Sequence, residues 1–304
     1  MTDRSVTTVI DPETCIGCGD CVRICPSGTL SLVAGTARVT GDQSLNCGHC
    51  AAVCPVDAVR VGSIDPQAVR FHTFSPGTEW MPYGQPDPAV LVRLMRSRRS
   101  CRAYTDAPVD RNQLEDLARV GITAPSGTNS QAWTFTVLPD RAAVLRLGGA
   151  VAEFFRRLNR MAARPWLRRS LRWLGKPALS DYHREYAGSV SKALDAWDRD
   201  GEDRLFHGAT AAILVGSRPG GSCPAEDALL AAGQMVLAAH AMGLGTCLIG
   251  FVVAAMAKDA RVRKAADIPE GETVHAVIGL GHPDIAFRGV AGRREPVLRW
   301  TSGK

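Results

Sequence analysis

The chain has 304 residues, room for two domains at roughly 100–200 residues each, and its 45% apolar and 22% charged content excludes a fibrous or disordered polymer. No window offers about 18 uninterrupted apolar residues, and Met1-Thr2-Asp3-Arg4-Ser5 lacks the basic start and apolar stretch of a secretory signal, so a cytoplasmic protein is expected. The net charge of +6 is uneven, with four Arg against seven Asp/Glu over residues 1–65 and +9 beyond them. An acidic front on a basic body favours docking of the two halves or recruitment of an acidic redox partner, and no nucleic-acid motif accompanies the charge.

Residues 6 to 58 hold seven of the ten cysteines and a short apolar strand-like piece at Thr29–Val33, and a second such piece, Val59–Val61, follows directly. Such tight spacing suits metal ligation, because one compact loop can aim several thiolates at one centre. Cys15-Ile16-Gly17-Cys18-Gly19-Asp20-Cys21 offers three thiolates from one turn, enough for three corners of an iron–sulfur cube, with Gly17 and Gly19 relieving crowding. Cys25, followed by Pro26, is aimed at a second cluster, as in the C-x2-C-x2-C-x3-C-P pattern of bacterial ferredoxins. Zinc, the competing reading, rarely uses this triple-plus-one spacing. The run from Ser44 to Pro55 repeats the pattern, except that serine stands at the first ligand position. By the crossed rule, Cys15, Cys18, Cys21 and Cys54 hold one cluster and Cys25, Cys47 and Cys50 the other. Ser44 or solvent is left for that second cluster's fourth iron. A hydroxyl is a harder and less acidic ligand than a thiol, so this cluster is expected to be labile, three-iron, or four-iron with an oxygen ligand. Cys101, Cys223 and Cys247 are scattered and read as small buried hydrophobes.

Residues 63–88 contain Pro66, Pro76, Pro82, Pro86 and Pro88, which predicts a connector between domains 1–62 and 89–304. Beyond it, Asp110 with Gln113 predicts a helix start, and Leu114, Leu117 and Ala118 continue at helical spacing. Trp133–Leu138, Ala212–Val215 and Thr273–Leu280 read as strands, and Asp227–Met242 as a long buried helix ended by Gly243. Helices and strands mixed in this way predict a sheet covered by helices.

Arg96-Ser97-Arg98-Arg99-Ser100-Cys101-Arg102 resembles the R-x-S-x-R/K phosphate loop of the FMN-dependent nitroreductase family. A flavin phosphate carries about two negative charges, which clustered guanidinium groups and a hydroxyl satisfy through strong hydrogen bonds. Ser126-Gly127-Thr128-Asn129-Ser130-Gln131-Ala132-Trp133 is similar to the family's S-x-x-N-x-Q-P-W segment, with Ala132 where proline is usual. Amides suit an isoalloxazine, which both donates and accepts hydrogen bonds. Gly243–Phe251 resembles the family's glycine-bearing segment against the ring, with Leu248, Ile249 and Gly250 as its contacts, although Ile249 replaces an acid found in some members. Gly281-His282-Pro283 and Arg293-Arg294-Glu295-Pro296 resemble the family's closing motifs, whose basic pair reaches the phosphate.

The resemblance implies an α+β protein, a small ferredoxin-like βαββαβ-type iron–sulfur domain followed by a nitroreductase-fold α/β sandwich. It implies FMN at a homodimer interface and two iron–sulfur clusters, 4Fe-4S by default. The implied cofactor-binding residues are Arg98, Arg99, Ser100, Arg102, Ser126, Asn129, Gln131, Leu248, Ile249, Gly250, Arg293 and Arg294. Electrons from a ferredoxin-like donor or NAD(P)H then pass to a nitro compound, quinone or activated alkene. The open alternatives are an electron carrier or redox sensor, and a dehalogenase or flavin-processing relative. No G-x-G-x-x-G motif follows a strand, so a Rossmann domain is not expected. Finally, residues 153–176 read as a basic amphipathic helix pair broken at Pro165, and this insert has three open readings: a lid over the flavin pocket, a solvated face, or a membrane-surface contact.

Overall fold

The computed structural model describes residues 3–303. In the N-terminal module β1 (Thr8–Ile10), α1 (Asp20–Ile24), β2 (Leu30–Val33), β3 (Thr36–Val39), α2 (His49–Ala52) and β4 (Val59–Val61) follow one another. The antiparallel pairs are β1 with β4 and β2 with β3. The β2–β3 hairpin turns on Ala34 and Gly35, both in the left-handed region (φ 49° and 80°), the requirement of a two-residue primed turn. The first cysteine loop packs on that turn so closely that a Cβ on Gly17 would lie 2.0 Å from the Gly35 carbonyl oxygen. Only glycine fits. Gly19 and Gly48 occupy equivalent left-handed positions at the starts of α1 and α2, so the doubled motif is a structural repeat as well.

The proline-rich connector forms one short 3-10 turn, Pro66–Val69, and is then tied down. Asp116, which is fully buried, accepts hydrogen bonds from the His72 amide (2.7 Å) and from the Thr73 amide and hydroxyl (2.7 Å each). Burial raises the Asp116 carboxyl's pKa, but these hydrogen bonds outweigh it and hold the group below the usual carboxylate value. Helix α3 (Pro88–Ser97) follows, with Asp87 accepting from the Ala89 amide and Pro88 at the first turn.

The larger domain is a sheet of four antiparallel strands in the order β5 (Trp133–Leu138), β6 (Ala211–Ser217), β8 (Thr273–Gly281), β7 (Gly245–Leu248). Side chains alternate across a strand, and β6 divides accordingly. Ala212 and Leu214 join a core cluster built with α5 (Arg141–Ala162), α10 (Gly250–Met256) and α11 (Ala260–Lys264), while Ala211, Ile213 and Val215 join one built with α4 (Arg111–Gly121) and α9 (Pro224–Ala241). A bulge opposite Val215/Gly216 inserts His275 into β8, and Val274 thereby changes faces relative to Ala276. Between α5 and β6 lie α6 (Pro165–Trp173), α7 (Ala178–Glu185) and α8 (Ala187–Asp200). Helix α9 starts three residues before the expected Asp227 because Pro224 serves as its first residue. Cys101 and Cys247 are buried as expected, but Cys223 is exposed, since it sits at the turn that opens α9 rather than on a core face.

Candidate functional site

The N-terminal cysteines lie around two neighbouring spaces, with Cys50 touching both. Cys25, Cys47 and Cys50 line one small cavity together with Ser44, whereas Cys54 lies among the first run in the core around Cys21 and Cys15. Burial raises the pKa of the Cys21 and Cys50 thiols; burial also pushes up that of Cys25, but hydrogen bonds from Thr29, Ser27 and Gly28 outweigh it and leave it lowered. Ser44 is 7% exposed, and its Oγ accepts from the Asn46 amide at 3.0 Å. Among the described residues no three His, Cys, Asp or Glu side chains converge on a point as a single ion would need. A soft thiolate set spread around a space matches a cluster's donor chemistry.

The loop 126–131 presses against this module. Asn129 Nδ2 donates to the backbone oxygens of Leu45 (3.2 Å) and Asn46 (2.9 Å), within the second cysteine loop. Gln131 Nε2 donates to Asn129 Oδ1, and the Gln131 amide donates to Ser126 Oγ, so the three motif residues form one network. Thr128, Asn129 and Gln131 all have positive φ (52°, 54° and 46°), a strained backbone that surrounding contacts must hold. Asp227 holds it. That carboxylate, 4% exposed, accepts from the Gly127 amide (2.9 Å) and the Ser130 hydroxyl (3.2 Å), and the Asp227 carbonyl accepts from Trp133 Nε1. Sequence reading missed Asp227; its only sequence signal was an acid placed in an otherwise apolar helix.

The arginine segment lies along β7. Ser100 bridges Thr246, the Cys101 amide donates to Thr246 O at 2.8 Å, and a Cβ on Gly245 would lie 2.8 Å from Cys101 Cβ. Arg98 and Arg99 line a cavity of ≈ 510 Å³ with Gly243–Thr246. Arg102 lines a second, of ≈ 1210 Å³, with Leu248, Ile249 and Gly250. Its wall is aromatic, with Phe155 packed on Tyr182 and Phe251, and Tyr186 on Phe251. Burial pushes the pKa of Tyr182 up to about 12, and its hydroxyl donates to Asn159 Oδ1. His207, at φ 58°, also faces this cavity, and its pKa is lowered by burial and by Arg102. The insert contributes Phe154, Leu158, Met161, Leu171 and Lys176 to the same wall, with the chain breaking between Ala162 and Pro165. Arg293 and Arg294 line neither cavity. They lie on an exposed tail, where Arg293 donates to the neighbouring Gly292 carbonyl.

The sequence model of the nitroreductase family matches residues 95–282, more than half of the chain. The chain belongs to the nitroreductase family. The 4Fe-4S dicluster domain matches residues 14–58, so this nitroreductase carries that module ahead of its sandwich. An Archaeoglobus fulgidus protein named after NADH dehydrogenase and NAD(P)H nitroreductase activity is 24% identical over 192 residues, covering 63% of this chain and 84% of that protein. The FMN reductase [NAD(P)H] of Bacillus subtilis strain 168 is 26% identical over 171 residues, 53% of this chain and 54% of that protein, about half its length. The fold matches that of a nitroreductase with bound FMN from Desulfitobacterium hafniense DCB-2, with a TM-score of 0.50 at 21% identity over 69% of this chain and 97% of that one. As a member of this family the chain is a flavin oxidoreductase.

Proposed function

We propose that this nitroreductase holds FMN along the 98–102 segment and passes electrons from two iron–sulfur clusters through loop 126–131 to an organic acceptor bound in the large cavity. When bound, clusters supply single electrons and a flavin accepts one or two, so the pair joins one-electron donors to two-electron acceptors. The observation that carries the reading is the double hydrogen bond from Asn129 Nδ2 to Leu45 O and Asn46 O, which ties the family's amide motif to a cysteine loop.

The residues fit these cofactors. Cys15, Cys18, Cys21 and Cys54 would hold the first cluster, and Cys25, Cys47 and Cys50, with Ser44 facing the fourth position, the second. Arg98 and Arg99, with Ser100 beside them, would grip the phosphate from the smaller cavity, and Arg102 with Leu248–Gly250 would face the ring in the larger one. A space of ≈ 1210 Å³ exceeds the roughly 300–1,000 Å³ of common small-molecule sites, leaving room for an acceptor such as a nitro compound, quinone or activated alkene beside the flavin. Helices α5 to α7 would act as its lid.

The domain limits 1–62, 63–88 and 89–304 follow from the same reading, as does a homodimer. Its support is the apolar surface that the single chain exposes, Leu91 and Val92 on α3 and Leu298 and Trp300 on the tail, which also carries Arg293 and Arg294. No helix among the described residues is long and apolar enough to cross a membrane.

Anaerobic stopped-flow with the reconstituted chain tests the route. Reduced ferredoxin is expected to bleach the cluster absorbance before the flavin absorbance, and Asn129→Ala to slow only the second phase. Flavin reduction that precedes cluster reduction with every donor, NAD(P)H included, would refute the order.

A further inference from the structure

Helix α6 has no buried residue although much of it is apolar. At 100° per residue, Trp166, Ser170 and Trp173 share one stripe, continued by Leu167 and Leu171, and Arg168, Arg169 and Arg172 occupy the opposite arc. The leucine edge of this face is used, since Leu171 lines the large cavity. The tryptophan edge is not. Trp166 is 64% exposed, Trp173 92% and Leu174, just past the helix, 66%. A helix packed on the protein would have turned these side chains inward.

The charge around them is mostly positive: residues 154–180 carry eight Arg/Lys and no Asp/Glu, and the acids of the adjoining α7, Asp181 and Glu185, are paired with Arg184. Two of the eight, Arg156 and Arg157 on α5, are neutralised by Asp198 and Asp259. Arg164, Arg169, Arg172 and Lys176 stand exposed around the tryptophans.

We propose that α6 and its flanks dock on an anionic lipid bilayer, placing the wall of the large cavity against the membrane surface. Tryptophan and leucine enter the headgroup–acyl boundary while arginines flanking them meet lipid phosphates, the arrangement of an interfacial helix. A two-fold contact of the patch with its counterpart on a second copy would set the arginines against like charges. An acidic protein would satisfy the arginines but offer two tryptophans no apolar phase. The inference does not depend on which acceptor the enzyme reduces.

Co-sedimentation of the full chain with vesicles of equal parts phosphatidylglycerol and phosphatidylcholine, compared with phosphatidylcholine alone, tests it. The wild type is expected to bind the anionic vesicles, more weakly as salt rises, and to ignore the neutral ones. The doubles Trp166→Ser/Trp173→Ser and Arg169→Glu/Arg172→Glu are each expected to lose about tenfold or more in partitioning, with circular dichroism and cofactor absorbance unchanged. The proposal is overturned by no wild-type binding, by equal partitioning of all three proteins, or by an Arg-dependent association with polyglutamate without vesicle binding, which assigns the surface to an acidic protein. Loss of a concentration-dependent dimer in both variants, with vesicle binding absent, assigns it to a second copy and overturns the proposal too.

Discussion

The N-terminal module buries a core of Cys21, Leu30, Ala37 and Val59, whereas the sandwich buries an extended apolar cluster on each face of its sheet. The module's strands are three or four residues long, against up to nine in the sandwich. A unit of about 60 residues buries only about 60% of the surface its unfolded chain exposes, and one so poor in hydrophobes needs an internal staple. Cys21, Cys15, Cys50 and Cys54 are thus part of the module's core, and as the proposed cluster ligands they would serve it twice. The sandwich has no such dependence on thiols, since apolar clusters lie on both faces of its sheet. Between the two lies loop 126–131, strained and held from both sides.

The largest expected effect separates the halves outright. Stripping iron with a chelator under reducing conditions is expected to unfold the module and leave the sandwich intact, because cluster binding there is also folding free energy. Hydrogen exchange checks it: protection should vanish across β1 to β4 and persist in β6 and β8. Retained protection in β1 and β4 would show that the module folds without its contents. Next in size is Gly17→Ala, whose Cβ would collide with the Gly35 carbonyl oxygen at 2.0 Å in a backbone at φ 67°. Iron content should fall to a small fraction of the wild-type value while the sandwich's melting transition stays in place. A Gly35→Ala control meets nothing within 4 Å, though its φ of 80° still brings strain, so it should lose less.

Asp227→Ala probes the junction. It leaves the Gly127 amide and the Ser130 hydroxyl without their partner, at a cost of about 1–3 kcal/mol. For a domain of 150–250 residues each kcal/mol lowers Tm by roughly 2–4 °C, so a loss of several degrees is expected by calorimetry. Exchange of the 126–131 amides should rise with it. An unchanged Tm would mean that the cysteine loop alone holds the strained segment.

Where the sequence spoke locally, it was legible. Trp133–Leu138 forms the strand its composition indicates, Asp110 caps α4, and Gly243 follows α9 with φ 79°. The cysteine spacing likewise indicated which thiols share a space, including the place of Ser44. What could not be read depends on contacts between distant residues. Asp227 meets Gly127 across a hundred positions, and no periodicity marks that pairing. The positive φ of Thr128, Asn129 and Gln131 is imposed by neighbours, not by glycine. Nor does a run of arginines show that the strand beneath it divides them between two cavities. Nor does the motif show that Arg293 and Arg294 stand on an exposed tail, away from both cavities.

The smallest effect expected is on the sandwich's response to pH. Burial lowers the pKa of His207, with Arg102 adding to it and Asp203 opposing, and burial lowers that of His275 against the pull of Glu226. Both imidazoles are therefore neutral in the fold at a pH where they would already be charged in the unfolded chain. The unfolded chain binds more protons below the ordinary value of 6.5, so stability contributed by these groups is complete above 6.5 and is lost as pH falls toward their folded values. Asp116 and Asp259 have lowered pKa values as well, but for a carboxylate this means stability lost only below its ordinary 3.8. The histidine window opens at 6.5 and the carboxylate window only at 3.8, so melting curves of the sandwich should start to fall as pH drops through 6.5 and show a further acid decline below 3.8. His207→Asn, which keeps a residue tolerant of positive φ, should lessen the first decline, leaving the share due to His275, and leave the second unchanged. A first decline of undiminished slope in that variant would assign it to another group, and the cavity's histidine would then be no more than a wall residue.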